Sequence, residues 1–309
     1  MIMMLARMTQ ANRLAQTGRK RRLSLTPYLM VLPSFSIYFV FVLIPILMTF
    51  ELSFTNYDFY KTKDYVGLAN YTRMFADPVF LIALRNTIVY AVCTIVPELV
   101  IGLLLAVFLN MKLIGRKFFR ISFYMPHVIS MVSISMIFLW IYDTSDGLLN
   151  MLMKSLGLPA QKWLFDLNLA LLCLIIIGIW KMVGFIMIIY LAGIQQIPSH
   201  LYEAATIDGA TGVHKFFNIT VPLLRPTTFF LFVTSCVSSF MVFEQVNVMT
   251  QGGPLNATTT VIHQIFQRAF VQYQMGYASA MAVFMFFIVL IVTLLNFYFG
   301  KQGQNVDMG

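Results

Sequence analysis

Six long apolar runs alternate with polar connectors along the chain, at about residues 28–50, 86–109, 121–142, 169–193, 227–249 and 277–299. A membrane span needs roughly 20 mostly apolar residues. Each run is therefore expected to be a membrane-crossing helix, because backbone groups in lipid have to pair within their own segment. Pro33, Pro45, Pro97 and Pro126 fall in or at the edge of these runs and mark expected kinks. The longest connector, about residues 51–85, has room for short helices only, so no separate soluble domain is expected. The first run, Tyr28 to Phe50, is longer than the apolar core of a secretory signal. No A-x-A follows it, and it reads as a retained helix.

One polar stretch, Leu201 to Pro226, has more internal order than the others. Leu201, Ala204 and Ala205 fall at i, i+3 and i+4, a helical apolar stripe of low profile. Asp208-Gly209 is a turn signal, because glycine reaches positive φ without strain. A second amphipathic piece carries Phe216 and Ile219, and Pro222 and Pro226 punctuate the entry to the next apolar run. Two short helices with a hinge are expected. Such a loop serves either as a docking surface or as an ordinary interfacial connection.

The residues of this stretch carry a resemblance. Glu203-Ala204-Ala205, Asp208-Gly209-Ala210, Phe216, Ile219, Pro222 and Pro226 resemble the EAA loop of ABC importer permeases. Leu191 to Pro198, Thr250 to Pro254, Gly276 to Ala280, and Phe119-Arg120 with Pro126 resemble the carbohydrate branch of that family. The likeness runs from about residue 28 to 300. It implies an all-α membrane protein: a six-helix permease bundle over 28–300, with a coupling loop at 198–226. A basic cytoplasmic tail at 1–27 and a short one at 301–309 flank the bundle. The partners implied are a second, related permease, two ATP-binding cassette ATPase subunits and an extracytoplasmic solute-binding protein. This chain would need no cofactor, Mg-ATP being bound by the ATPases. In the coupling loop the resemblance gives Glu203 a charged contact with the ATPase, and Ala204 and Ala205 close packing against it. Ala210 belongs to the same coupling set, Asp208 and Gly209 would set the angle between the two helices, Phe216 and Ile219 would anchor the second, and Pro222 would begin the next span. In the sugar branch the flanking helices line the solute path. The candidates are Trp180, Lys181, Met182 and Phe185 before the loop, and Ser235, Ser238, Ser239 and Glu244 after it. Hydroxyls and an aromatic face suit a sugar, although small serines also favour plain helix packing. Gly252, Gly253 and Pro254 are the candidate contact with the solute-binding protein.

Composition agrees with the span pattern. Of 309 residues, 59% are hydrophobic and 11% charged, with mean hydropathy +0.80, whereas soluble domains average about 25% charged. The net charge of +9 reads as topology and not as nucleic-acid binding. The N-terminus, the 110–120 link, the polar loop and the C-terminus carry six, four, two and one Lys or Arg. The opposite connectors carry four, two and one. Both tails and the polar loop are thus expected in the cytoplasm of a bacterial inner membrane, with Lys112, Arg116, Lys117 and Arg120 the clearest vote.

Candidate chemistry is sparse. The three cysteines sit inside apolar runs and read as free thiols. There is no G-x-x-x-x-G-K-[ST] motif, no metal-ligand spacing and no nucleophile–base pair, so a non-catalytic transport subunit is expected. The intramembrane charges Glu98, Lys181 and Glu244 are the exceptions, since such residues usually face a bundle interior or wet path. Saccharide import is the expected activity, with an acidic oligosaccharide among the solutes it covers. Import of a glycerol phosphate or polyol is the alternative, followed by an ion-coupled secondary transporter using those three charges. Against the last, six spans show no evident inverted repeat.

Overall fold

The computed structural model describes residues 26–60, 63–111 and 114–304. Lys112, the N-terminal arginines and the last five residues lie outside the described residues. The helices are α1 (Thr26–Tyr38), α2 (Ile44–Leu52), α3 (Ala69–Ala76), α4 (Pro78–Asn110), α5 (Arg116–Val128), α6 (Met131–Ile141) and α7 (Leu148–Ser155). They continue with α8 (Leu169–Gln196), α9 (Ser199–Ile207), α10 (Gly212–Lys215), α11 (Arg225–Phe240), α12 (Val261–Phe266) and α13 (Met275–Gln304). Among the described residues the only β pairing is an isolated bridge, Thr55 to Tyr65. The fold is an all-α membrane bundle.

The described residues up to Met48 and those from Thr49 onward form two compact units. The first contains α1, which passes through a π-helical turn at Phe39–Leu43 just before Pro45. Phe216–Thr220 is a second π-helical turn, again two residues before a proline, Pro222. Widening the helix there makes room for the proline ring, which otherwise meets the carbonyl four residues back.

The second unit is built on α4 and α8. Asp77 opens α4 by accepting a hydrogen bond from the Val79 amide at 2.9 Å, and Pro78 occupies its first turn. The helix thus begins eight residues before the expected 86, and its 33 residues reach about 50 Å. It runs unbroken past Pro97. Asp166 opens α8, accepting from the amides of Asn168 and Leu169 at 2.8 and 3.1 Å. The α5–α8 crossing needs Gly184, since a Cβ there would stand 1.8 Å from the Phe123 carbonyl oxygen. The buried layer between α4, α8 and α11 holds Leu109, Ile186, Met187, Tyr190 and Leu231.

Among the described residues four helices are long and apolar enough to cross a membrane, or up to six if two bent pairs each count as one span. The third and fifth expected spans are therefore not straight helices. Residues 121–142 belong to α5 and α6, which meet at 99° around Ile129 and Ser130. Residues 227–249 are interrupted after Phe240, and the chain resumes as a π-helical turn at Val246–Thr250. The segment 212–223 and α11 meet at 65°. The first break is sealed by Lys181, whose ammonium donates to the backbone carbonyls of His127 and Ile129. A charged donor from a neighbouring helix replaces the lost helical partners.

Candidate functional site

The polar loop forms two short helices with a hinge. At the C-terminus of α9, Gly209 takes φ +77° and its amide donates to the Thr206 carbonyl at 3.1 Å. The Ala210 amide reaches the Ala205 carbonyl at 2.8 Å. This pair of bonds is a Schellman cap, which requires a left-handed residue at that place. Thr211 then opens α10 by accepting from the His214 amide. Two side-chain bonds brace the pieces: Lys215 Nζ donates to Thr206 Oγ1 at 2.7 Å, and the hydroxyls of Tyr202 and Thr220 pair at 2.9 Å. The loop is thus an internally bonded body. Glu203, Ala204, Ile207, Asp208 and Gly209 lie on its exposed side, with Ile207 87% exposed. Ala205, Ala210, Phe216, Ile219 and Pro222 are half-buried. Ala205, Gly209 and Ile219 line a groove of about 420 Å³, and Ile207, Val213 and Phe217 are exposed apolar residues of the same stretch.

A second feature is a cavity of about 430 Å³ between α4, α8 and the segment after α11. Lys181, Met182, Ser238, Ser239 and Glu244 line it, as do Tyr90, Thr94, Glu98 and Gln245. Gln245 Nε2 donates to the Tyr90 hydroxyl at 2.6 Å, and Thr94 and Ser239 share a hydrogen bond at 3.1 Å. Glu98 is 2% exposed; it hydrogen-bonds Ser235, and its Oε1 is buried without a protein partner among the described residues. Of the eight sequence candidates, Trp180, Phe185 and Ser235 do not line this cavity. Trp180 faces a separate apolar groove, packing edge-on against Phe138 at 5.5 Å. Phe185 stacks on His127 at 4.7 Å. Ser235 lies buried behind the wall, against Glu98. Sequence reasoning missed Tyr90, Thr94 and Gln245. Tyr90, Thr94 and Glu98 recur at i, i+4 and i+8, a polar stripe on an apolar helix that spacing alone could have flagged.

The loop after the π-helical turn at Val246–Thr250 is pinned by α4. Asn86 Nδ2 donates to the carbonyls of Asn256 and Thr259 at 3.1 and 3.0 Å. Gly252 is buried at φ +85°, where a Cβ would meet His263 Cε1 at 2.8 Å. Gly253 and Pro254 are half-buried, and Leu255 stands out at 85% exposed. The glycines shape this loop, and Leu255 forms its tip. Burial holds the His263 imidazole below its ordinary pKa.

Residues 98–302 match the family described as the binding-protein-dependent transport system inner membrane component. The chain belongs to that family. The match covers both the polar loop and most of the cavity wall. The permease is 39% identical over 284 residues to the probable ABC transporter permease protein YurN of Bacillus subtilis, covering 90% of this chain and 97% of that one. It is 33% identical over 273 residues to the arabinooligosaccharides transport system permease protein AraP of the same species, covering 87% of each. Its fold matches a solved bacterial ABC transporter involved in the import of the acidic polysaccharide alginate. There the TM-score is 0.81 at 24% identity, over 94% of this chain and 99% of that one.

Proposed function

We propose that this permease is the non-catalytic, membrane-spanning subunit of an ATP-driven importer that takes a saccharide from a solute-binding protein. The loop of α9 and α10 is the coupling element. An internally bonded body with exposed Glu203, Ala204 and Ile207 is suited to seat in a groove of a separate ATPase, and this observation carries the reading. Ala205 packs beside Ala204 against that groove, Asp208 and Gly209 set the angle with Ala210 closing the cap, and Phe216, Ile219 and Pro222 tie the loop to the bundle. Closure of two Mg-ATP-loaded ATPase subunits moves the docked body, and the bundle switches access. A second permease completes the pathway, and the solute-binding protein meets the outer side at the loop of Gly252, Gly253 and Pro254. Both tails and the coupling loop are cytoplasmic.

The cavity at Lys181, Met182, Ser238, Ser239 and Glu244 is the solute path. Hydroxyls and an amide in its wall match the polar edge of a sugar. Its charge bears on the solute class: the Glu244 carboxylate in this wall balances one lysine, whose ammonium is bound to backbone carbonyls. Such a wall favours a neutral saccharide over an acidic one. The test is purification from the native membrane, followed by reconstitution of what co-purifies. An ATPase, a second permease and ATP hydrolysis stimulated by a sugar-loaded binding protein are expected. A lone chain that moves solute along an ion gradient would overturn the proposal.

A further inference from the structure

Helix α5 carries two features that coupling and solute passage leave unused. A cavity of about 540 Å³ opens at its first turn, lined by Gly115, Arg116, Lys117 and Arg120. Residues 110–120 contain no acid, and among the described residues no carboxylate pairs with these three cations. Arg120 Nε is buried without a partner there. Further along the same helix, Ser122, Phe123 and Pro126 form one wall of an apolar groove of about 520 Å³. Leu105 of α4, with Trp180 and Val183 of α8, are among the residues that close it.

Arg116, Arg120 and Phe123 fall at i, i+4 and i+7, so cations and groove lie along one face of α5. From Arg120 to Phe123 the axial rise is about 5 Å, the order of the step from a phosphate to its first acyl carbons. The exposed Ile114 and Phe118 flank the cationic end. We propose that this face binds one anionic glycerophospholipid, with its headgroup phosphate against Arg116, Lys117 and Arg120 and an acyl chain in the groove beside Trp180. Neither half fits another single occupant of the bilayer as well. A neutral lipid leaves three cations uncompensated, and a free phosphate leaves the apolar groove open to water. The Lys and Arg distribution puts this end of α5 at the cytoplasmic leaflet, whose surface carries anionic lipid.

The probe is phosphatidylglycerol mixed equally with phosphatidylcholine, titrated into the delipidated, assembled transporter and counted by native mass spectrometry. The wild type is expected to retain phosphatidylglycerol preferentially. Arg120→Gln should weaken that retention about fivefold, and Arg116→Gln/Lys117→Gln/Arg120→Gln should weaken it further, to the level of phosphatidylcholine. Ser122→Trp, which fills the groove and leaves the cations intact, should lower retention of both lipids. Raised salt should reproduce the effect of removing the cations. Arg120→Gln alone gives the readout if the triple variant does not assemble. Equal lipid counts in the wild type, Arg120→Gln and Ser122→Trp would mean that protein covers the face, and would overturn the proposal. Loss on removing the cations with no loss in Ser122→Trp would overturn the placement of the acyl chain.

Discussion

Gly209 holds φ +77° at the end of α9, and nothing stands within 4 Å of where its Cβ would be. Alanine therefore meets only backbone strain, about 1–2 kcal/mol, and no clash inside the chain. Gly209→Ala is expected to leave most transport intact. Gly209→Trp has the same open space around it, so a loss of transport in that variant reports contact with a second protein. Uptake measured beside ATP hydrolysis separates the two cases: uncoupled or absent uptake in Gly209→Trp is expected, and normal uptake would remove the docking role. Lys181 raises a different question, because its ammonium is spent on the His127 and Ile129 carbonyls. Lys181→Met leaves those groups unpaired in a membrane interior, a loss of about 2 kcal/mol. A lowered Tm in Lys181→Met, largely restored in Lys181→Arg, is expected of the purified transporter. The sequence marked Lys181 as an unusual charge but not what it does, since the carbonyls lie 52 and 54 residues away. The hinge at Gly209 was readable because cap chemistry is local. The cavity was readable only in part: Ser238, Ser239 and Glu244 lie close to the loop in sequence, while Tyr90 and Thr94 come from a helix about 150 residues earlier and meet them only through packing.

At the scale of elements, α5 and α8 touch backbone to backbone at Gly184. A valine there must push the Phe123 carbonyl aside, and overpacking of this kind costs about 1–3 kcal/mol. Gly184→Val should lower the Tm and the yield of assembled transporter, while substitution at exposed Met125 on α5 should not. The loop around Gly252 and His263 has its own dependence on pH. The buried His263 ring contacts Thr259 and Gln267, and burial depresses its pKa. The unfolded ring takes up a proton as pH falls through about 6.5, whereas the folded ring resists it. The stabilisation is therefore fully present above that pH and is lost as pH falls toward the lowered folded value. Protection factors over residues 250–263, with the intrinsic pH dependence of amide exchange divided out, should fall from about pH 7 to pH 5, and His263→Gln should flatten that fall. Apolar runs revealed the spans, because length and hydropathy decide what crosses lipid. They concealed the bends, because α5 with α6, and the segment before α11 with α11, keep their apolar composition through breaks of 99° and 65°.

For the whole molecule those bends decide topology. The 28 residues of α8 reach about 42 Å, more than the roughly 30 Å of a bilayer core, so its two ends emerge on opposite sides. Ile207 lies just beyond its C-terminal end, at the end of α9. Leu255 follows the bent pair formed by the segment 212–223 and α11. If that pair crosses the membrane, Leu255 lies opposite Ile207; if it is re-entrant, both lie on one side. Import from a binding protein, driven by an ATPase, requires the crossing arrangement. Ile207 and Leu255 are 87% and 85% exposed, so a cysteine at either should react freely. With Cys93, Cys173 and Cys236 replaced by serine, Ile207→Cys should react with an impermeant maleimide only in inverted vesicles. ATPase subunits bound to the loop should protect it. Leu255→Cys should react only in intact spheroplasts, and a binding protein should protect it. Labelling of both from one side would make the segment 212–223 with α11 a re-entrant hairpin, place the Leu255 loop on the same side as Ile207, and remove the proposed route between an ATPase on one side and a binding protein on the other.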